Sequence, residues 1–120
     1  MNYDVLIIGA GPGGIFTAYE LAEADKGLRI GVFELGRPLA QRKCPIDGKK
    51  VKACVTCPVC SIMSGFGGAG AFSDGKYNIT NDFGGTLYEY IGKKRALNLM
   101  KYVDEINMAY GGAGTKLYST

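Results

Sequence analysis

The chain of 120 residues contains no histidine. That absence removes the usual general base, the usual activator of a nucleophile and the commonest metal ligand from anything this chain does with its own side chains. Long apolar runs are missing as well. None approaches the roughly 20 residues that a helix needs to cross a bilayer, so no membrane span is expected. The net charge is +3, too small to argue for nucleic acid as a partner. The start of the chain has no signal-peptide pattern: Asp4 stands where a basic region would be, and the apolar run 5–8 is short. A cytoplasmic location is therefore expected. The length suits one domain with a real core, not two large ones.

What the chain does have is glycine, and its placing is informative. Gly9, Gly11 and Gly14 form G-x-G-x-x-G between the apolar run Val5, Leu6, Ile7, Ile8 and an amphipathic stretch at 15–24. Alone the glycine pattern is weak; between a strand and a helix it describes a phosphate-binding turn. Gly9 permits the tight turn, Gly11 lets the backbone approach a pyrophosphate, and Gly14 lets the helix pack close to the sheet. Gly13 and the other free N–H groups of the helix start face the anion. Pro12 fits the first helical turn, where its missing N–H removes nothing. The reading that competes is a glycine-rich turn with no ligand.

Continuous apolar runs suit a strand buried on both faces, as in a parallel sheet, and 5–8 is read as one. Residues 12–25 read as a helix with Ile15, Ala18, Tyr19 and Ala22 on one face and Gly27 as a left-handed cap. Residues 29–34 read as the second parallel strand. Glu34 ends it, about 20 residues after Gly14, where a β-α-β dinucleotide site places the acid that binds a ribose diol. An acid there repels a 2′-phosphate and argues against NADP at this site. The bland reading of Glu34 is a solvated charge. Glycines, Pro12 and the Phe33-Glu34 pair resemble FAD-binding flavoproteins, although NAD sites share the glycines.

Residues 37–62 form a cysteine-rich insertion. Arg37, Arg42, Lys43, Lys49, Lys50 and Lys52 there face only Asp47. Such a patch is either a solvated loop or an attractor for an anionic partner, cofactor phosphate or an acidic redox protein. All four cysteines lie close together: Cys44, then Cys54, Cys57 and Cys60 as C-x-x-C-x-x-C. Four readings stay open: an iron–sulfur cluster, a four-cysteine zinc site, dithiol redox chemistry, and thiols without a special role. The neighbouring lysines favour thiolate in every functional case.

Segment 64–76 is dense in glycine and too rich in small residues for a regular helix or strand. It either runs against a flat or phosphorylated ligand or is a linker; Phe66, Phe72 and Asp74 are untypical of a linker. Taken together, residues 9–14, Glu34, the cysteine run and residues 60–76 look like a family of bacterial FAD-dependent dehydrogenases. In organisation they are similar to the glutathione-reductase-like flavoprotein class. The resemblance covers nearly the whole chain. It implies an α/β, Rossmann-like βαβ fold that binds FAD or NAD(P), incomplete in this chain, which would be the N-terminal part of an FAD-binding domain. It also implies that the second glycine segment lines the FAD, a role carried onto Gly67, Gly68, Gly70 and Ser73. NAD(P)H as a co-substrate, and a small-molecule or redox-protein electron partner, belong to the same expectation.

Further on, a short strand is expected at 77–80 and a turn at 81–85. A capping box of Thr86 and Glu89 would open a helix, and Gly92 would interrupt it. Ala96, Leu99, Met100, Val103, Ile106 and Tyr110 form a helical stripe that Gly111 and Gly112 end. The stripe reads as core or as a face that packs on a missing domain. No further long buried strand is visible after Glu34, so the rest of the enzyme is expected beyond Thr120. No side chain qualifies as an acid or base, and no catalytic residue is assigned beyond the cysteines. The leading expectation is an FAD-dependent oxidoreductase, inactive as this piece alone. The alternatives are an NAD-dependent dehydrogenase fragment and a non-catalytic four-cysteine metal-binding module.

Overall fold

Val5–Ile8 (β1) and Ile30–Phe33 (β2) pair in parallel, with Pro12–Ala24 (α1) between them in sequence. The register sets Val5 against Ile30 and Ile8 against Phe33. The computed structural model describes residues 2–82 and 84–113, and the backbone of 117–119. The chain divides into two compact units, Met1–Ser73 and Asp74–Thr120.

In the first unit the strand pair is closed at one end by an ion pair. Asp4 takes two guanidinium N–H groups of Arg29 at 2.8 and 2.9 Å, and the Arg29 backbone N–H at 2.9 Å. These bonds hold the Asp4 carboxyl below its ordinary pKa. Both partners are well exposed, so the pair fixes register more than it stabilises. Tyr3 meets Phe33 edge to face with ring centres 5.8 Å apart.

β1 is not covered on both faces. Ile7 is buried, but Leu6 is 59% and Ile8 83% exposed, and Val32 and Phe33 of β2 are exposed too. The face that carries Ile7 packs at Gly14 of α1, although Val32 on it is exposed; on the other face Tyr3 and Phe33 lie over Gly31 while Leu6 and Ile8 stay open. On α1, Ile15, Ala18 and Tyr19 are half-buried while Ala22 is exposed. The helix does not end on a left-handed Gly27. Asp25 is the extended cap, its N–H reaching Leu21 O, and its carboxylate accepts the Gly27 N–H at 2.8 Å. A side-chain turn at aspartate thus replaces the glycine cap.

The second unit pairs Tyr77–Ile79 (β3) in parallel with Leu117–Ser119 (β4). β4 has no counterpart in the sequence reading. Leu87–Ile91 (α2) and Lys93–Asn107 (α3) follow β3 and are separated at Gly92, whose φ is +82°. Thr86 does begin α2, but its side chain caps nothing. Its carbonyl takes the Glu89 N–H instead, so the capping box is not formed. Of the expected stripe, Ala96 is buried, Met100, Val103 and Ile106 are half-buried, and Leu99 and Tyr110 are exposed. The helix unwinds across Met108–Gly112, with Gly111 at φ +115°. Thr80, buried beside Ile79, exchanges hydrogen bonds with Asp82. Phe83, in the expected turn, lies outside the described residues. No helix among the described residues is long and apolar enough to cross a membrane.

Candidate dinucleotide site

The strand-to-helix turn forms as the glycines require. Gly9 stands at φ +97°, a conformation that side chains rarely adopt, and its N–H bonds Phe33 O at 2.7 Å, extending the β1–β2 ladder by one residue. Gly11 caps α1 and Pro12 opens it. A Cβ on Gly14 would run into the Gly9 carbonyl oxygen and press the Ile7 side chain at 3.3 Å, so a bare Cα is what lets helix and strand approach. A Cβ on Gly11 or Gly13 would meet nothing within 4 Å. The approach to the helix start is therefore open. The N–H groups of the first turn have no intrahelical acceptor by the geometry of any helix, and they face this opening with the positive end of the helix dipole.

Glu34 leaves β2 at the same end. Its Oε2 accepts the Ala10 N–H at 2.8 Å; its Oε1 accepts Gly36 N–H at 2.8 Å and Gly65 N–H at 2.9 Å. These donors, Ala10 first, hold the carboxyl below the ordinary glutamate pKa, with the Arg42 charge adding a smaller push the same way. Glu34 is thus not a merely solvated charge. It ties the first glycine turn, its own loop and the second glycine segment together. Gly36 and Gly65 pack so closely that a Cβ on Gly36 would overlap the Gly65 backbone.

The second segment comes to the first turn by direct contact. Gly67 N–H bonds Ala10 O at 2.8 Å, and a Cβ on Gly68 would stand 3.3 Å from Gly11 Cα and 3.4 Å from Pro12 Cδ. The segment is not wholly irregular: Gly68–Phe72 makes a short 3-10 turn, closed by the Ser73 N–H on Gly70 O. A single tight turn of this kind tolerates glycine where a longer α-helix would not. Of the expected site residues, Gly9, Gly11, Pro12, Gly13, Gly14, Glu34, Gly67, Gly68 and Gly70 gather in one region. Ser73 ends the 3-10 turn.

One residue of this region went unread as structural in the sequence. Arg42 is 5% exposed. Its Nε donates to Ser61 O at 2.9 Å, Nη1 to Phe66 O at 2.7 Å, and Nη2 to Ile62 O at 2.6 Å and Gly68 O at 2.8 Å. Its guanidinium lies over the Phe72 ring, 4.8 Å from the centre. It shapes segment 61–72 and does not belong to a surface patch. Arg37, Lys43, Lys49, Lys50 and Lys52 remain exposed.

The four cysteines are free and line one cavity of about 180 Å³ with Pro45, Ile46 and others. Thr56 N–H points at Cys54 Sγ at 3.5 Å. The N–H groups of Met63 and Ile62 pull the Cys60 thiol below its ordinary pKa. Among the described residues, no three cysteine or carboxylate side chains stand close enough to hold a metal ion in common.

No family model matches the chain, and no solved structure does. A local stretch of 36 residues is 61% identical to cholesterol oxidase from Mycobacterium tuberculosis strain CDC 1551 / Oshkosh, and equally to that of strain ATCC 25618 / H37Rv. The stretch is 30% of this chain and 6% of each of those proteins. The likeness is thus to a short piece of an oxidase.

Proposed function

We propose that this chain carries the dinucleotide-binding portion of an FAD-dependent oxidoreductase with a Rossmann-like βαβ start. The observation that carries the reading is Glu34 bridging Ala10 of the first glycine turn and Gly65 beside the second, at the common end of β1 and β2. The local likeness to an oxidase supports the same reaction class. It brings no steroid substrate with it.

The residues fit the group. Bound FAD would supply the hydride and electron chemistry. The open backbone at Gly11, Gly13 and the start of α1 would hold a pyrophosphate. Glu34 Oε2 accepts one N–H and keeps acceptor capacity for a ribose hydroxyl. Gly67, Gly68 and Gly70, which lie against the first turn at Ala10, Gly11 and Pro12, would line the FAD beside it. The exposed face of β1 and β2 favours a second layer packed on it, since parallel strands are ordinarily covered on both faces.

Equilibrium binding to the full-length apoprotein tests this reading. FAD should bind tightly and NAD weakly. Tight NAD binding with no affinity for FAD would replace it with the nicotinamide-dehydrogenase alternative.

A further inference from the structure

We infer that Arg42 is a positioning residue of the nucleotide site, the side chain that aims the Glu34 carboxylate at a bound dinucleotide. The consequence for the cofactor rests on the FAD reading above; the action on Glu34 does not. Arg42 grips the second glycine segment on both sides of Gly65. Ser61 O and Ile62 O lie before that glycine in sequence, Phe66 O and Gly68 O after it, and all four accept guanidinium N–H groups. The stem of the side chain packs against the same glycine. A Cβ on Gly65, whose φ is +127°, would stand 2.5 Å from Arg42 Cδ and 2.7 Å from its Nε. The guanidinium also lies over the Phe72 ring, so the head of the side chain is fixed as well as its stem.

Gly65, held in this way, gives its N–H to Glu34 Oε1 at 2.9 Å, where Gly36 N–H also binds. With Oε1 anchored twice, Oε2 is set at Ala10 of the first turn, taking one N–H at 2.8 Å. Its spare lone pair is the one left for a ribose hydroxyl. A second arm runs from Arg42 to the same turn. Gly68, whose carbonyl Arg42 holds, stands against Gly11 and Pro12, and Gly67 N–H bonds Ala10 O. A carboxylate and a backbone that are fixed before the ligand arrives lose less freedom when it binds. Arginine suits the task because its planar fork reaches several acceptors in set directions, which an ammonium cannot do.

The test is carbon NMR of the Glu34 carboxyl, titrated without nucleotide in the parent protein, Arg42→Lys and Arg42→Met. The parent should titrate below an ordinary glutamate, with its Gly65 amide protected from hydrogen exchange. Both variants should move the Glu34 midpoint part of the way back, since Arg42→Lys keeps the charge yet lacks the fork. Parental amide shifts in β1 and β2 identify a folded variant. The second arm is FAD titration. Arg42→Lys should weaken binding roughly tenfold, the scale of one lost hydrogen bond to a charged group. In the Glu34→Gln background the same change should cost about twofold or less, because the two residues act through one contact. An unprotected Gly65 amide in the parent overturns the inference. So does a folded Arg42→Lys protein with the parental Glu34 midpoint, or a loss of FAD affinity that is equal in both backgrounds. A parent that binds no FAD removes the proposed cofactor, and the carboxyl titration then still decides whether Arg42 aims Glu34.

Discussion

At the scale of single residues, two charged side chains organise the site, and the sequence distinguished them poorly. Glu34 was legible because its distance from Gly14 is fixed by one helix and one strand. What the distance could not tell is that its oxygens also hold Ala10, Gly36 and Gly65. Glu34→Gln keeps the shape, removes the charge and turns one acceptor into a donor facing N–H groups. FAD affinity should fall roughly tenfold, the scale for losing a charge-assisted hydrogen bond, as titration of flavin fluorescence would show. Unchanged affinity removes Glu34 from the nucleotide site.

The same carboxylate gives a pH dependence. Its folded pKa lies below the unfolded value. Its contribution to stability is therefore complete above the unfolded glutamate pKa and lost as pH falls through the lowered folded one. Thermal melts of parent and Glu34→Gln should differ near neutral pH and converge in acid. A constant difference across that range would contradict the assignment.

Arg42 was not legible. A cation among lysines reads as solvated, and nothing local in sequence reveals that carbonyls 19 to 26 residues away will surround it. Replacing Arg42 with methionine leaves four carbonyls without their donor. The expected loss is about 3 kcal/mol in urea unfolding of the protein, from unsatisfied buried acceptors. Arg42→Lys should recover little, because an ammonium lacks the planar fork that reaches several acceptors at once. A loss within the range of ordinary surface substitutions would show that the carbonyls find water instead.

At the scale of elements, β1, α1 and β2 were readable to within about a residue because three signals coincide: an apolar run, a glycine pattern and a helical period. Elements that rest on one signal fared worse. The Gly27 cap gave way to the Asp25 side-chain turn, and the Thr86–Glu89 box gave way to a backbone bond. β4 is three residues long with no alternation to read; its pairing with β3 is long-range, and local propensity carries no trace of it. The turn itself makes a sharp prediction. Gly14→Ala should destabilise the protein by about 1–3 kcal/mol, the range for overpacking, and weaken FAD binding by pushing α1 away from Gly9. Gly13→Ala, whose Cβ meets open space, serves as the comparison for stability. Equal stability of the two variants would show that α1 does not need the close approach.

At the scale of the whole molecule, the buried apolar residues among those described are Ile7, Ala10, Ile79 and Ala96, and no large side chain is fully enclosed. Leu6, Ile8 and Phe33 leave an apolar strip on the strand pair, of the kind that monomers seldom leave uncovered. The 120-residue chain should therefore bind a hydrophobic dye, and Leu6→Ser with Ile8→Ser should reduce that binding. Dye binding that the double variant leaves unchanged would show that this strip is not the exposed apolar surface.

If the glycine turn, Glu34 and the second glycine segment hold FAD, the protein keeps flavin through purification. The decisive observation is its absorption spectrum after purification without oxygen, mixing with FAD and desalting. Retention of about one flavin per chain, seen as the near-ultraviolet and blue bands of the oxidised cofactor and lost in part with Glu34→Gln, is the predicted result. A protein that emerges colourless both as purified and after exposure to FAD would show that these residues hold no flavin.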